Sequence, residues 1–232
     1  MRTTDRSPNA ALGTRPPGYP RALERTVTLA DGRAVFVRPI VPGDAPALAT
    51  AIRQADGETL RSRFLGSPPP LTERLLRHLT EVDYVRRLAL VGFDPATGGG
   101  VAIARYEPVA GRTAEVAVAV DPLWRRAGLA TALVELLATA ALDRGYDTFT
   151  ALYLADNLPV AALVAGSETG DGTGDETGDE TGDETGDGSG DGAAGGRAQI
   201  RQGLAEVAIA LDRDHRHLRH SSGDAPQERG RS

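Results

Sequence analysis

Two features of the sequence could do chemistry. The first is Trp124-Arg125-Arg126-Ala127-Gly128-Leu129-Ala130-Thr131, which joins a strand-like run ending at Val120 to a long helical pattern. A helix N-terminus carries unpaired backbone N–H groups and a partial positive charge, so it can receive a diphosphate. The small residues Ala127, Gly128 and Ala130 would let such a group come close to the backbone, and Arg125 and Arg126 add charge-assisted donors. The segment is neither a Walker loop, which needs Gly-Lys-Ser/Thr, nor a dinucleotide fingerprint, which needs three spaced glycines. Taken alone it also reads as an ordinary turn in which Gly128 relieves crowding.

The second feature is Glu115, which stands as the sole carboxylate in Thr113-Ala114-Glu115-Val116-Ala117-Val118-Ala119-Val120. Strand alternation puts Glu115, Ala117 and Ala119 on one face and the three valines on the other. A Glu among small side chains is expected to be partly buried, and burial gives a carboxylate the basicity that general-base catalysis needs. The alternative is a solvent-facing Glu on a half-exposed strand.

These residues need elements to position them. Thr26–Leu29 and Ala34–Val37 are short β-rich runs around Asp31-Gly32, a strong hairpin signal. Gly43-Asp44 offers an N-cap for a helix over Ala45–Ile52, and Glu58–Phe64 and Thr72–Leu79 read as further short helices, the last capped by Thr72. Leu88–Phe93, Val101–Tyr106 and Ala114–Val120 are apolar runs separated by glycine-bearing turns, which predicts an antiparallel meander. Leu129, Leu133, Leu136, Leu137 and Ala140 recur at helical spacing before Gly145, which predicts a helix over Gly128–Arg144. Thr148–Leu154 returns to strand composition. A strand, a helix and a strand make a crossover, so Thr148–Leu154 should lie parallel to Ala114–Val120. Asn157–Ala165 is a shorter helix candidate, and Ala198–Gln202 with Leu204–Leu211 read as closing strands.

Composition bounds the rest. The 232 residues suit one domain with extensions. Residues 167–192 hold ten Asp and Glu and no Arg, so outside them the formal charge of -6 becomes +4. That mild basicity fits an anionic small ligand, and no basic stripe interleaved with aromatics points to nucleic acid. The tract repeats Glu-Thr-Gly-Asp with almost no apolar side chain and is expected to be disordered, an acidic insertion over residues 167–196 within a domain spanning residues 23–212. Residues 1–22 and 213–232 are expected to be disordered ends. His215, His217 and His220 lie in the polar tail with no rigid partner, so no metal is expected. With no Cys and no Lys in the chain, disulfides, thiolate ligands and a cysteine acyl intermediate are excluded, as is modification of the chain's own lysines. The start, Met1–Pro20, lacks an apolar signal-like core, and no segment approaches a membrane span. The expectation is a soluble, cytoplasmic protein.

The stretch Arg125-Arg126-Ala127-Gly128-Leu129-Ala130 matches the Arg/Gln-x-x-Gly-x-Gly/Ala signature of the GNAT (Gcn5-related N-acetyltransferase) superfamily, and its surroundings carry further likeness. Val37-Arg38-Pro39-Ile40 with Gly43-Asp44, Ser62-Arg63-Phe64, Asp83-Tyr84, and Leu154-Ala155-Asp156-Asn157 with Pro159 resemble the GNAT domain of bacterial protein lysine acetyltransferases. The likeness covers about residues 25–212 without the insertion. It implies an α+β (mixed α/β) GNAT fold, a mostly antiparallel sheet flanked by helices and splayed between the fourth and fifth core strands, with acetyl-CoA in the gap. In that arrangement the backbone of Val118, Ala119 and Val120 serves the pantetheine arm, residues 125–131 (Arg125, Arg126, Ala127, Gly128, Leu129, Ala130 and Thr131) hold the pyrophosphate, Asn157 contacts CoA further along, and Glu115 is the general base. The implied activity is acetyl transfer from acetyl-CoA to a primary amine, with a lysine-bearing protein as acceptor. Without Cys the amine attacks the thioester directly, in a ternary complex, with an amide N–H near Val118 polarising the carbonyl.

Two departures from the family pattern qualify this. No Tyr follows the Asn-bearing segment to protonate the leaving thiolate, and Tyr153, on the preceding strand, reads as packing. The acidic tract interrupts the chain after Gly166, where the sixth strand should start, and it reads either as a solvated insertion or as bait for cationic partners. A CoA-binding sensory or scaffold module without turnover is the reading these departures favour, and a small-amine acetyltransferase lies between the two.

Overall fold

The computed structural model describes residues 15–65, 67–154, 199–201 and 204–211. Among the described residues eight strands form one sheet in the order β1-β2-β3-β4-β5-β6-β8-β7. They are β1 (Arg25–Thr28), β2 (Ala34–Pro39), β3 (Leu88–Phe93), β4 (Gly100–Ala110), β5 (Thr113–Val120), β6 (Thr148–Leu154), β7 (Gln199–Arg201) and β8 (Leu204–Ala210). The first five pair antiparallel as the meander predicts, β6 is parallel to β5, and β8 returns antiparallel to β6. The strands on either side of residues 155–198 therefore join the same sheet, while the Asn157–Ala165 helix, the acidic tract and the His-bearing tail lie outside the described residues.

The crossover between β5 and β6 is α4 (Leu129–Asp143), one residue shorter at each end than its apolar spacing suggests. Leu129, Leu133, Leu137, Ala140 and Ala141 are buried against Val35, Val37, Leu88, Leu90, Ala104, Tyr106, Ala114, Val116 and Phe149, and this is the larger core. The opposite face of the sheet carries Ile40, Ala89, Val91 and Phe93, with Leu48, Val82 and Ile103 packed on them. Helices α1 (Ala45–Gln54), α2 (Gly57–Phe64) and α3 (Glu73–Thr80) precede β3 in the chain. Thr72 caps α3 by accepting from Leu75 N–H at 3.2 Å. Cover on both faces explains why all six residues of β3 are buried and why it reads as a continuous apolar run.

The sequence assigns Asp44 to helix capping, and the structure corrects this. Asp44 makes no side-chain cap on α1. Its carboxylate instead accepts two bonds from the fully buried Arg38 guanidinium, at 2.7 and 2.8 Å, and one from Val41 N–H at 2.8 Å. A buried guanidinium requires a paired anion, and a bidentate carboxylate supplies it. Residues before 23 also make packing contacts. Tyr19 stacks edge-on against Tyr84 with ring centroids 5.6 Å apart, and Arg15 pairs with Glu24 at 3.1 Å.

Removing one partner of the Arg38–Asp44 pair leaves an uncompensated buried charge. Asp44→Ala should therefore lower unfolding free energy by about 3–5 kcal/mol in urea denaturation, with the double change Arg38→Met, Asp44→Leu recovering much of the loss.

Candidate active site

β5 and β6 touch only at their beginnings. Thr113, Ala114 and Glu115 pair with Thr148, Phe149 and Thr150, and the ladder stops there although both strands continue. β6 is committed along its whole length to β8, from Thr148↔Ala210 to Leu154↔Leu204, while β5 stays with β4 as far as Ala102↔Val120. The sheet therefore opens into a wedge just beyond Glu115. The splay expected between the fourth and fifth core strands is this wedge, the hairpin strand β1 adding one to the count.

The direction of the backbone groups follows from one bond. Asp121 N–H donates to Val101 carbonyl at 2.9 Å, toward β4. Antiparallel pairing alternates, so Ala119 and Ala117 turn their N–H and C=O to β4, and Val116, Val118 and Val120 turn theirs to the other side, where Val116 N–H lies at the last rung to β6 and Val120 carbonyl accepts from Arg125. Of the three strand residues given to the pantetheine arm, Val118 and Val120 present backbone to the gap. Ala119 lies opposite Ile103 and presents its backbone to β4.

The turn after β5 ends at the mouth of this wedge. Pro122–Trp124 forms a 3-10 turn started by Asp121, whose side chain accepts from Leu123 N–H at 2.9 Å. The β1–β2 hairpin braces it. Arg33 lies over the Trp124 ring at 4.4 Å and donates to Leu123 carbonyl at 2.9 Å, and Ala30 N–H donates to Ala127 carbonyl at 3.2 Å. Gly128 is the N-cap of α4 with φ of +85°, and α4 has no side-chain cap. A Cβ built on Gly128 would meet nothing within 4 Å. Crowding is therefore not why glycine stands here. The left-handed backbone requires it, and the space beyond is open in front of the uncapped first-turn N–H groups of Leu129, Ala130 and Thr131. Ala127 and Leu129 are buried and anchor the turn from below.

The structure separates the two arginines. Arg125, though exposed, donates from Nε to Val120 carbonyl at 3.1 Å and from Nη2 to Thr59 hydroxyl on α2 at 2.6 Å, so it ties the turn to the helix. Arg126, with φ of +61°, is exposed and has no hydrogen-bond or ion-pair partner among the described residues. A non-glycine residue in the left-handed region costs of order 1 kcal/mol, and such strain clusters at ligand sites. Asn157 lies outside the described residues. Tyr153 is buried with Ala205 and Val207, which makes it packing.

Glu115 departs from expectation in one respect. It is exposed, not partly buried. It stands directly opposite Glu107 on β4. Together with Arg63, Arg105, Pro108, Val109 and Ala117 the two carboxylates line a cavity of about 210 Å³. Arg63 comes from α2 and its pKa is lowered by burial, against the pull of Glu115 and Glu107. Arg105, Glu107 and Arg63 were not singled out as site residues from sequence. The signal for Arg105 is its isolation in the apolar run Val101-Ala-Ile-Ala-Arg-Tyr. Among the described residues no group of His, Asp or Glu could hold a metal ion.

The β5–α4–β6 crossover thus opens into a wedge with an uncapped glycine N-terminus at its mouth, as the family resemblance implies. Residues 69–165 match the family model described as acetyltransferase (GNAT) family. The chain is 31% identical over 140 residues to "Acetyltransferase Pat" of Mycolicibacterium smegmatis, covering 60% of this chain and 42% of the relative, so it spans less than half of that relative's length. The GNAT domain of S. lividans PAT superposes with a TM-score of 0.65 at 25% identity, covering 83% of this chain and 99% of that one. A phosphinothricin acetyltransferase from Sinorhizobium meliloti, solved in complex with AcCoA, shares the fold with a TM-score of 0.53 at 15% identity, over 76% of this chain and 88% of that one.

A side chain at residue 128 would both strain the left-handed backbone and fill the open space. Gly128→Val should weaken CoA binding at least about tenfold in isothermal titration while lowering stability by about 1–2 kcal/mol.

Proposed function

We propose that this chain is an N-acetyltransferase that moves acetyl from acetyl-CoA to the amine of a protein lysine. The observation that carries the reading is the wedge: it opens just beyond Glu115, is edged by the backbone of Val118 and the Val120 N–H, and ends at the uncapped start of α4. A long thiol ester with a diphosphate at one end fits that sequence of groups.

The open cradle at Gly128 fits a diphosphate, with the N–H groups of residues 129–131 as donors and Arg126 as the nearby cation. Acetyl-CoA supplies the activated acyl group as cosubstrate. The Val118 N–H, turned into the gap, donates to the acyl oxygen and stabilises charge that develops there. Glu115 sits on the opposite face of the same strand, where an acceptor amine can approach from the cavity, and it takes the ammonium proton before attack. Because Glu115 is exposed, it can exchange that proton with solvent after each turnover. The protein-lysine acceptor is supported by the similarity to an acetyltransferase Pat and to the GNAT domain of a second PAT.

If Glu115 takes the proton, Glu115→Gln should reduce kcat on a lysine peptide by about 10²- to 10⁴-fold with acetyl-CoA affinity unchanged. The check is a thiol-release assay paired with calorimetric binding. Loss of CoA binding in the variant, or retention of full turnover, would contradict the assignment.

A further inference from the structure

The cavity beside Glu115 has buried guanidinium donors on its wall that its own partners do not satisfy. Arg105 is 4% exposed, and its Nη2 donates to Glu107 Oε1. Its Nε and Nη1 are buried without a hydrogen-bond partner among the described residues. Glu107 cannot satisfy them, because the same oxygen is shared with Arg87 Nη2 at 3.6 Å and faces His78 Nε2 at 3.3 Å. Arg63, on the facing wall, is half-buried and close enough to repel Arg105. Arg63 and Arg105 thus line the cavity with Glu107 and Glu115, and Glu107 is further shared with Arg87. Burial pulls the Arg105 pKa down to about 10, with Glu107 opposing and Arg63 and Arg87 adding to the fall, so the group stays charged at neutral pH.

Native interiors leave few buried donors unpaired, because each costs the whole desolvation of the group. Two such donors on one guanidinium, at the wall of a cavity that also holds Arg63 and the proposed base, indicate an anion that binds there. Exposed Val109 at the same wall leaves the cavity open to an approaching chain.

We propose that this cavity recognises a carboxylate carried by the acceptor beside its amine, with Arg105 and Arg63 as the specificity-determining pair. The carboxylate is that of an Asp or Glu flanking the acceptor lysine in the substrate protein. This inference rests on the acetyl-transfer reading and adds the substrate feature that the site selects. Lysine-bearing segments rich in basic neighbours would meet Arg63 and Arg105 as like charges and be rejected. A neighbouring acid would instead accept from the two unpaired N–H groups of Arg105.

The test uses the full chain with acetyl-CoA and matched peptides that differ only at the residues flanking one lysine: Glu, Gln or Arg. The wild type should acetylate the Glu peptide with kcat/KM about tenfold or more above the Gln peptide, and the Arg peptide least. R105M and R63Q should each bring the Glu-to-Gln ratio to within about twofold of unity while activity on the Gln peptide persists, a pattern that simple misfolding does not give. Equal rates for the three wild-type peptides, or a preference that survives both substitutions, would overturn the proposal. Peptide binding by calorimetry with CoA present reads the subsite without turnover. Preferential binding of the Glu peptide with no acetylation would support the subsite and sink the acetyl-transfer reading, whereas equal or absent binding together with no acetylation would sink both. A parallel comparison of free lysine with lysinamide distinguishes the source of the carboxylate: a preference for lysine over lysinamide supports the same subsite but assigns it to a free amino acid.

Discussion

The parting of β5 and β6 is the constraint on which the site depends. Parallel strands gain their stability from a continuous ladder, yet here the ladder lasts three residues and then both strands leave each other. The energy lost is recovered on the far sides, where β4 holds β5 and β8 holds β6 over nearly their full lengths. What remains between them is a row of backbone donors and acceptors that no part of the sheet satisfies. An extended ligand with amide groups can complete such a row as a strand would. The turn at residues 125–128 and the helix behind it set where that ligand ends.

That turn is held by parts far from it in the chain. The opening hairpin reaches it through Arg33 and Ala30, and α2 reaches it through Thr59 on Arg125. The same α2 carries Arg63 on the wall of the Glu115 cavity. One short helix thus touches both the donor end and the acceptor side. Asp56 begins α2 by accepting from Thr59 N–H and hydroxyl, so the residue that caps the helix also orients the hydroxyl that meets Arg125. Local capping and long-range positioning are here the same set of bonds.

Much of the fold was legible because it follows from local pattern. Leu88–Phe93 and Thr148–Leu154 come out with the boundaries their composition suggests, and the spacing of Leu129, Leu133, Leu137 and Ala140 sets the buried face of α4. The parallel return of β6 followed from the handedness and length of a helical crossover. The glycine turn was legible as a turn before the helix, though the reason for its glycine was not: only the backbone angle and the open space at Gly128 argue against crowding. What sequence could not show are pairings between residues distant in the chain. Asp44 has the spacing of a cap but is taken by Arg38, and Arg125 has the position of a phosphate donor but is taken by Thr59 and Val120. The exposure of Glu115 depends on the cavity that Arg63 and Arg105 build around it, and no local pattern records that neighbourhood.

The central claim is that acetyl-CoA completes the open edge of β5. Backbone hydrogen exchange on the full chain, with and without acetyl-CoA, tests this most directly. The account predicts that added acetyl-CoA slows exchange at the amide of Val118 and at those of Leu129, Ala130 and Thr131, leaving Ala117 and Ala119, already paired with β4, little changed. Unchanged exchange at Val118 and at the start of α4, with acetyl-CoA bound, would contradict it.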